Sequence, residues 1–265
     1  MGVRVAWKLL AIFLLCVSSA LWLMIVRGFG ALVSRGKLER ENKVIRGWAN
    51  RMARIIGMRV QTRGPLPQRS FLLVSNHLSY LDVLAYMSQV DARLLSKAEV
   101  ASWPLLGTLA RFGGTLFVDR TRRRDLPRVI GEIKSTLDQG RGVVFFPEGT
   151  SSPGLQVLPF KASLFQAAAE GGLDVSTATL RYHCPAPQRP AQWSVAWWGS
   201  MDFTPHFLAM LRLSKFDAFI QFSEVQQQSD DRKQLAQNCQ RAVEAIFEPV
   251  CLELGPDPIF GDMPH

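Results

Sequence analysis

The residues best equipped for chemistry form one short run, Asn76-His77-Leu78-Ser79-Tyr80-Leu81-Asp82. A histidine that ends an apolar strand, with an aspartate five residues on, can close a hydrogen-bonded pair across a strand-to-helix turn. The carboxylate then fixes the imidazole tautomer and stabilises the imidazolium once a proton is taken. Such a pair suits the deprotonation of an alcohol. Alone the spacing is weak, because four positions between His and Asp are free, and a helix-capping Asp beside a satisfied His gives the same pattern.

Two further blocks lie downstream. Gly114-Thr115-Leu116-Phe117-Val118-Asp119-Arg120 ends an apolar run on an arginine, which suits a phosphate through two parallel hydrogen bonds or, structurally, a surface ion pair. Phe146-Pro147-Glu148-Gly149-Thr150-Ser151 follows another apolar run. There Gly149 and the hydroxyl side chains can present donors to an anion, or the Pro-Glu-Gly can be a plain turn. No GxSxG elbow is present, since the serine-bearing turns are Gly149-Thr150-Ser151 and Lys161-Ala162-Ser163, and this excludes the usual serine hydrolase. The four cysteines, Cys16, Cys184, Cys239 and Cys251, form no CxxC, so neither a zinc site nor a disulfide framework is indicated.

The elements that must position these blocks are legible from their periodicity. Residues 71–75, 115–118, 143–146, 175–182, 194–198 and 216–222 read as strands. Residues 80–90, 122–139, 161–170 and 231–254 read as helices. Strands alternating with helices predict an α/β fold, a central mostly parallel sheet flanked by helices, with functional loops at the carboxyl ends of the strands. Each chemical block sits at or just after such an end.

Ahead of this domain the composition changes. Residues 1–64 carry twelve Lys/Arg against two Glu, whereas the remainder carries nineteen basic against twenty acidic residues. Leu9 to Val26 holds eighteen residues without a charge, about 27 Å as a helix against a hydrocarbon core of roughly 30 Å. The run predicts an N-terminal membrane-anchoring helical segment, either a full span or a shallower anchor. A cleaved signal peptide is the competing reading, with Ser18-Ser19-Ala20 as its small-residue site, but the apolar run continues past it. Residues 37–59 place Val44, Trp48, Met52, Ile55 and Ile56 at helical spacing among arginines and lysines, as in a helix lying on anionic lipid or one packed on the domain. The chain thus divides at the Gly64-Pro65-Leu66-Pro67 step into an anchor and basic helix, 1–64, and a globular domain, 65–265. The excess of Lys/Arg after the apolar run places that domain on the cytoplasmic face of the cell (inner) membrane. A basic stretch so close to an apolar one argues against a nucleic-acid partner.

Taken together, NHLSYLD, GTLFVDR, FPEGTSS and the following Leu158-Pro159-Phe160-Lys161 resemble the glycerolipid acyltransferases of the 1-acylglycerol-3-phosphate acyltransferase (PlsC-like) group. Lys97-Ala98-Glu99, with Trp103-Pro104 and Gly107, fits the basic segment between the first two blocks. The resemblance implies that His77 is the general base and Asp82 its partner. It implies that Arg120, Glu148, Gly149 and Thr150 shape the acceptor site, with Lys97 near the anionic head. It also implies transfer of an acyl chain from acyl-CoA or acyl-carrier protein to the hydroxyl of a lysolipid at the membrane, with no metal and no cofactor beyond that donor. The leading acceptor is 1-acyl-sn-glycerol 3-phosphate, giving phosphatidic acid. The runner-up is lyso-ornithine lipid or another aminolipid, a branch that Trp197-Trp198-Gly199-Ser200-Met201-Asp202 with Thr204-Pro205-His206, and a missing proline, resemble. A third reading keeps the fold as a non-catalytic membrane lipid-binding protein. One departure stands out: Thr177 occupies the place of the group's proline in the Val175–Leu180 strand, which bears on the donor or head-group pocket.

Overall fold

A computed structural model of the chain describes residues 2–29, 36–103, 106–119 and 126–255. Two short apolar runs form the middle of its sheet. β2 (Leu72–Ser75) and β5 (Gly142–Phe145) are buried at every residue, as strands covered on both faces must be. Around them lie β1 (Met58–Arg63), β3 (Ala92–Lys97), β4 (Leu116–Val118), β6 (Val175–His183) and β7 (Phe216–Phe222). The order across the sheet is β1-β7-β6-β2-β5-β3-β4. Neighbours run parallel except β6 and β7, which are antiparallel.

Helices cover both faces. On one side α1 (Val3–Phe29), α2 (Lys37–Ile56), α3 (Leu81–Gln89) and α8 (Phe203–Met210) bury Val5, Trp48, Leu81 and Met210 against the sheet. On the other, α5 (Leu126–Asp138), α6 (Gln166–Gly171) and α9 (Arg232–Glu244) bury Ile133, Ala168 and Leu235. The short α4 (Leu106–Phe112) and α7 (Ala191–Ser194) complete the described α-helices, and 3-10 turns lie at Ala98–Ser102 and Ala162–Phe165. The predicted α/β class and mostly parallel sheet are those observed.

The sequence reading missed β3 altogether, and three of its other expectations differ from what is observed. The basic amphipathic helix stops at Ile56, because Gly57 takes φ 91° and closes it with bonds to Ala53 O and Arg54 O. A Cβ at Gly57 would stand 2.6 Å from Ser214 O, so the turn requires glycine. The chain then enters the sheet as edge strand β1, ahead of the Gly64–Pro67 step. The predicted strand 194–198 does not form: α7 follows Pro190, and β6 already has β2 and β7 as partners, which leaves no place in the sheet beside it. The last helix ends at Glu244 rather than 254, since Pro249 lacks an N–H and its ring would collide with the carbonyl of Ala245.

The apolar N-terminal run becomes α1, 27 residues and about 40 Å long. Val5, Lys8, Ile12, Ser19, Leu23 and Val26 make a buried stripe at helical spacing, while Trp7, Phe13, Leu14, Val17, Leu21 and Trp22 stay exposed. Lys8 Nζ donates to Ile56 O and Leu213 O, each at 2.8 Å, which sets the start of α1 beside the end of α2. The two helices are therefore antiparallel. In turn α2 is fastened to the domain along its length, through Arg141 to Glu41 at 3.0 Å, Asn50 to Ser88 O at 3.1 Å, and Arg46 to Gln89 O. So α1 lies along the domain, with one apolar face inward and the other exposed among the described residues.

Candidate active site

The candidate site begins where β2 runs out. Asn76 turns its side chain onto β6, donating to Leu180 O at 2.9 Å and accepting from Leu180 N at 2.8 Å. That two-bond clasp fixes the end of β2 and sends His77 out over the sheet edge. Three residues later the chain re-enters as α3, and Asp82 sits in its first turn. The Asp82 carboxylate is fully buried. Its Oδ2 accepts from Leu78 N (2.6 Å), Ser79 N (3.1 Å) and His77 Nδ1 (2.7 Å), and its Oδ1 accepts from Tyr182 OH (2.8 Å). A carboxylate can only accept here, so His77 Nδ1 carries the proton and Nε2 is left as the basic atom.

The His77 ring is 22% exposed and stacks on Phe146, centroids 4.3 Å apart, so it is held flat yet remains reachable. Its backbone carbonyl accepts from Ser152 N at 3.0 Å, which ties the Phe146–Ser152 loop under the base. Within that loop Gly149 adopts φ 74°, in the left-handed region that glycine tolerates. Ser151 Oγ donates to Trp197 O, and Trp197 N donates to Leu78 O at 2.8 Å. The segment misread as a strand is thus the far wall of the site.

A cavity of about 560 Å³ opens at His77. Gly149, Thr150 and Ser151 line its mouth with Lys97 and Glu99, and its depth is apolar: Ile12, Trp48, Met52, Leu84, Val100 and Phe207. Such a mostly apolar pocket with a few convergent polar groups is the form a small-molecule site takes.

The sequence-derived site residues separate at this point. His77, Gly149, Thr150 and Lys97 border the cavity, and Asp82 backs His77 from the core. Arg120 lies outside the described residues. Glu148 does not line the cavity; it is buried at 2% exposure behind the loop, and neither carboxyl oxygen meets a donor in hydrogen-bonding geometry. Burial pushes its pKa up to about 8, assisted by the Asp82 charge and only partly opposed by the nearby Leu158 and His77 amides. Thr177 likewise stays out of the cavity, buried in β6 opposite Val74. The substitution at the proline position is therefore a feature of the sheet, not of the pocket wall.

Sequence reasoning missed Tyr182 and Tyr86. Both are buried, Tyr182 on Asp82 and Tyr86 OH on Ser75 Oγ at 2.7 Å. A signal existed: the chain has only three tyrosines, and Tyr80, the third, also lines the cavity.

A buried Asp orienting a half-exposed His, at the carboxyl edge of an α/β sheet and over an apolar cavity, is an arrangement able to activate a hydroxyl beside a long apolar chain. Comparison with known proteins agrees. The Acyltransferase family profile matches residues 57–181. The chain is 33% identical over 191 residues to a 1-acyl-sn-glycerol-3-phosphate acyltransferase of Neisseria gonorrhoeae, covering 72% of this chain and 74% of that protein. It is 34% identical over 231 residues to a lyso-ornithine lipid O-acyltransferase of Brucella abortus, covering 79% and 86%. Among solved structures it matches the 1-acyl-sn-glycerophosphate acyltransferase PlsC of Thermotoga maritima, with a TM-score of 0.61 at 20% identity over 92% and 97% of the two chains, a likeness of fold. The chain belongs to the acyltransferase family. It is an O-acyltransferase that takes a lipid acceptor and an acyl donor.

Proposed function

We propose that the chain transfers a fatty acyl group from a thioester, acyl-CoA or acyl-carrier protein, to the free hydroxyl of 1-acyl-sn-glycerol 3-phosphate, yielding phosphatidic acid. The observation that carries this reading is the unpartnered Nε2 face of His77 at the mouth of an apolar cavity large enough for acyl chain. In the reaction Nε2 takes the hydroxyl proton as the oxygen attacks the thioester carbon. The carbon–sulfur bond then breaks, and the thiolate recovers the proton from the imidazolium. Asp82 keeps Nδ1 protonated throughout and balances the transient positive charge. Much of the remaining acceleration is alignment, because the cavity holds the chain while His77 and the Gly149–Ser151 turn hold the reacting centre.

The protein works at a membrane in this reading. α1 lies along the domain, so its exposed apolar face seats in the plane of the bilayer surface rather than crossing it, with the arginines of α2 near anionic headgroups. The basic residues of α2 favour an anionic leaflet, which suits the cytoplasmic face of the inner membrane. Lyso-ornithine lipid is the second acceptor reading, favoured by the relatives of that name and by Lys97 and Glu99, opposite charges on one rim that suit a zwitterionic head. The deciding assay offers lysophosphatidate and lyso-ornithine lipid side by side to the membrane-bound enzyme, with radiolabelled acyl donor. Labelled phosphatidic acid from wild type but not from His77→Ala supports the first reading. Label in ornithine lipid alone replaces it with the second.

A further inference from the structure

The catalytic pair leaves α8 unexplained. None of its eight residues from Phe203 to Met210 is acidic, Lys or Arg, and it is held rigidly from inside. His206 is buried, its Nε2 donates to Ala196 O at 3.0 Å and its Nδ1 accepts from Tyr80 OH at 3.2 Å. Burial holds its pKa down at about 4, so the ring is a neutral strut. Met210 and Leu211 also point into the core. On the other side Thr204 and Pro205 are exposed and Leu208 and Ala209 half-exposed, followed at the same helical spacing by exposed Arg212.

The end of this face meets the start of α1. Arg4 donates to Arg212 O at 3.0 Å and Lys8 to Leu213 O at 2.8 Å, so the start of α1 is stitched to the end of α8. Both helices flank one cavity, α1 through Ile12 and α8 through Phe203 and Phe207. Trp103, on the rim, is edge-on to Trp197 with centroids 5.9 Å apart. Aromatic rims beside uncharged helical faces fit the boundary between headgroups and acyl chains.

We propose that α8 is a second lipid-contacting element, which lies with the outer face of α1 in an anionic bilayer surface so that the cavity opens into lipid rather than water. The proposal rests on the membrane-bound reading above. Its occupant is the bilayer because the face ends beside the start of α1, the helix that carries the exposed apolar face, and is bordered by Arg4 and Arg212, whose cations suit anionic headgroups. A lysolipid with its chain in the bilayer then enters sideways, with its hydroxyl at the height of His77.

The test places photoreactive benzoylphenylalanine at Thr204, at Leu14 on the outer face of α1, and at Gln237 on the far side in α9. Each protein is irradiated on vesicles of phosphatidylethanolamine and phosphatidylglycerol and examined by mass spectrometry. Lipid adducts at Thr204 and Leu14 but not Gln237 are expected. Adducts at Leu14 alone overturn the role of α8 and leave the membrane reading standing; adducts at neither overturn both. Protein–protein adducts at Thr204 make α8 a self-association face and overturn the proposal. A second variant, Thr204→Glu with Pro205→Glu, puts carboxylates in the first turn, where the helix dipole welcomes them. Its KM for an acceptor embedded in vesicles should rise about tenfold or more, with kcat/KM for a monomeric short-chain acceptor unchanged. An unchanged KM on vesicles overturns the proposal.

Discussion

Two carboxyl groups lie buried beside His77, and their surroundings differ entirely. Asp82 accepts four hydrogen bonds, two from backbone amides, one from imidazole and one from a phenol. Glu148 has no donor in hydrogen-bonding geometry and holds its proton up to about pH 8. A buried charge is sustained only where its oxygens are satisfied; otherwise the group stays neutral. One block of sequence therefore supplies the anion that orients the His77 ring. The other supplies an uncharged acid that packs behind the loop, so that a second negative charge does not compete for the His77 proton.

The largest effect should come from removing what Asp82 serves. His77→Ala should lower kcat on the order of 10²–10⁴-fold with little change in melting temperature, since the ring sits at the site mouth; half-maximal turnover in that variant would remove His77 from the chemistry. Asp82→Asn comes next. An amide cannot accept from imidazole, two backbone amides and the phenol together, so kcat should fall at least tenfold and stability by about 1–3 kcal/mol, read from urea unfolding. If Asp82→Asn lost stability alone, the aspartate would be a helix cap and the comparison with Glu148 would fail. Tyr182→Phe removes one donor and leaves Oδ1 bare, which should cost about 1–2 kcal/mol and a smaller part of kcat, restored by neither salt nor substrate.

Glu148→Gln should have the smallest effect on activity, and it is the variant that sharpens the contrast. Below its ordinary value of 4.5 the carboxyl is protonated in folded and unfolded chains alike. Between there and about 8 the unfolded chain releases the proton while the fold retains it, so the stabilising share of this group is lost as pH rises, and is gone above about 8. Glu148→Gln has no such slope. Its melting temperature should gain on that of wild type as pH is raised through this window, and parallel curves would mean that Glu148 is ionised in the fold.

How much of this was legible depended on the range of the contacts. The His77–Asp82 pair is local, five residues apart across one turn, and so are the central strands, whose unbroken apolar runs announce burial on both faces. Tyr182 lies a hundred residues from Asp82 and meets it only because β6 pairs with β2. Trp197 was read as part of a strand because alternation alone carries no information about whether the sheet has a free edge to receive it. Lys8 looked like a flank of the apolar run, whereas its ammonium is spent on carbonyls 48 and 205 residues away.

By itself, then, the sequence determined the class of fold, the hydrogen-bonded pair of His77 and Asp82, and an apolar helix with a basic companion. These follow from periodicity and from spacing within a single turn, where chain connectivity leaves few geometries. Only the tertiary structure decided which carboxyl is charged, which wall the Trp197 segment builds, and that α1 lies along the domain. Each of those depends on desolvation and on donors brought from distant strands, and such quantities exist only after the sheet has assembled.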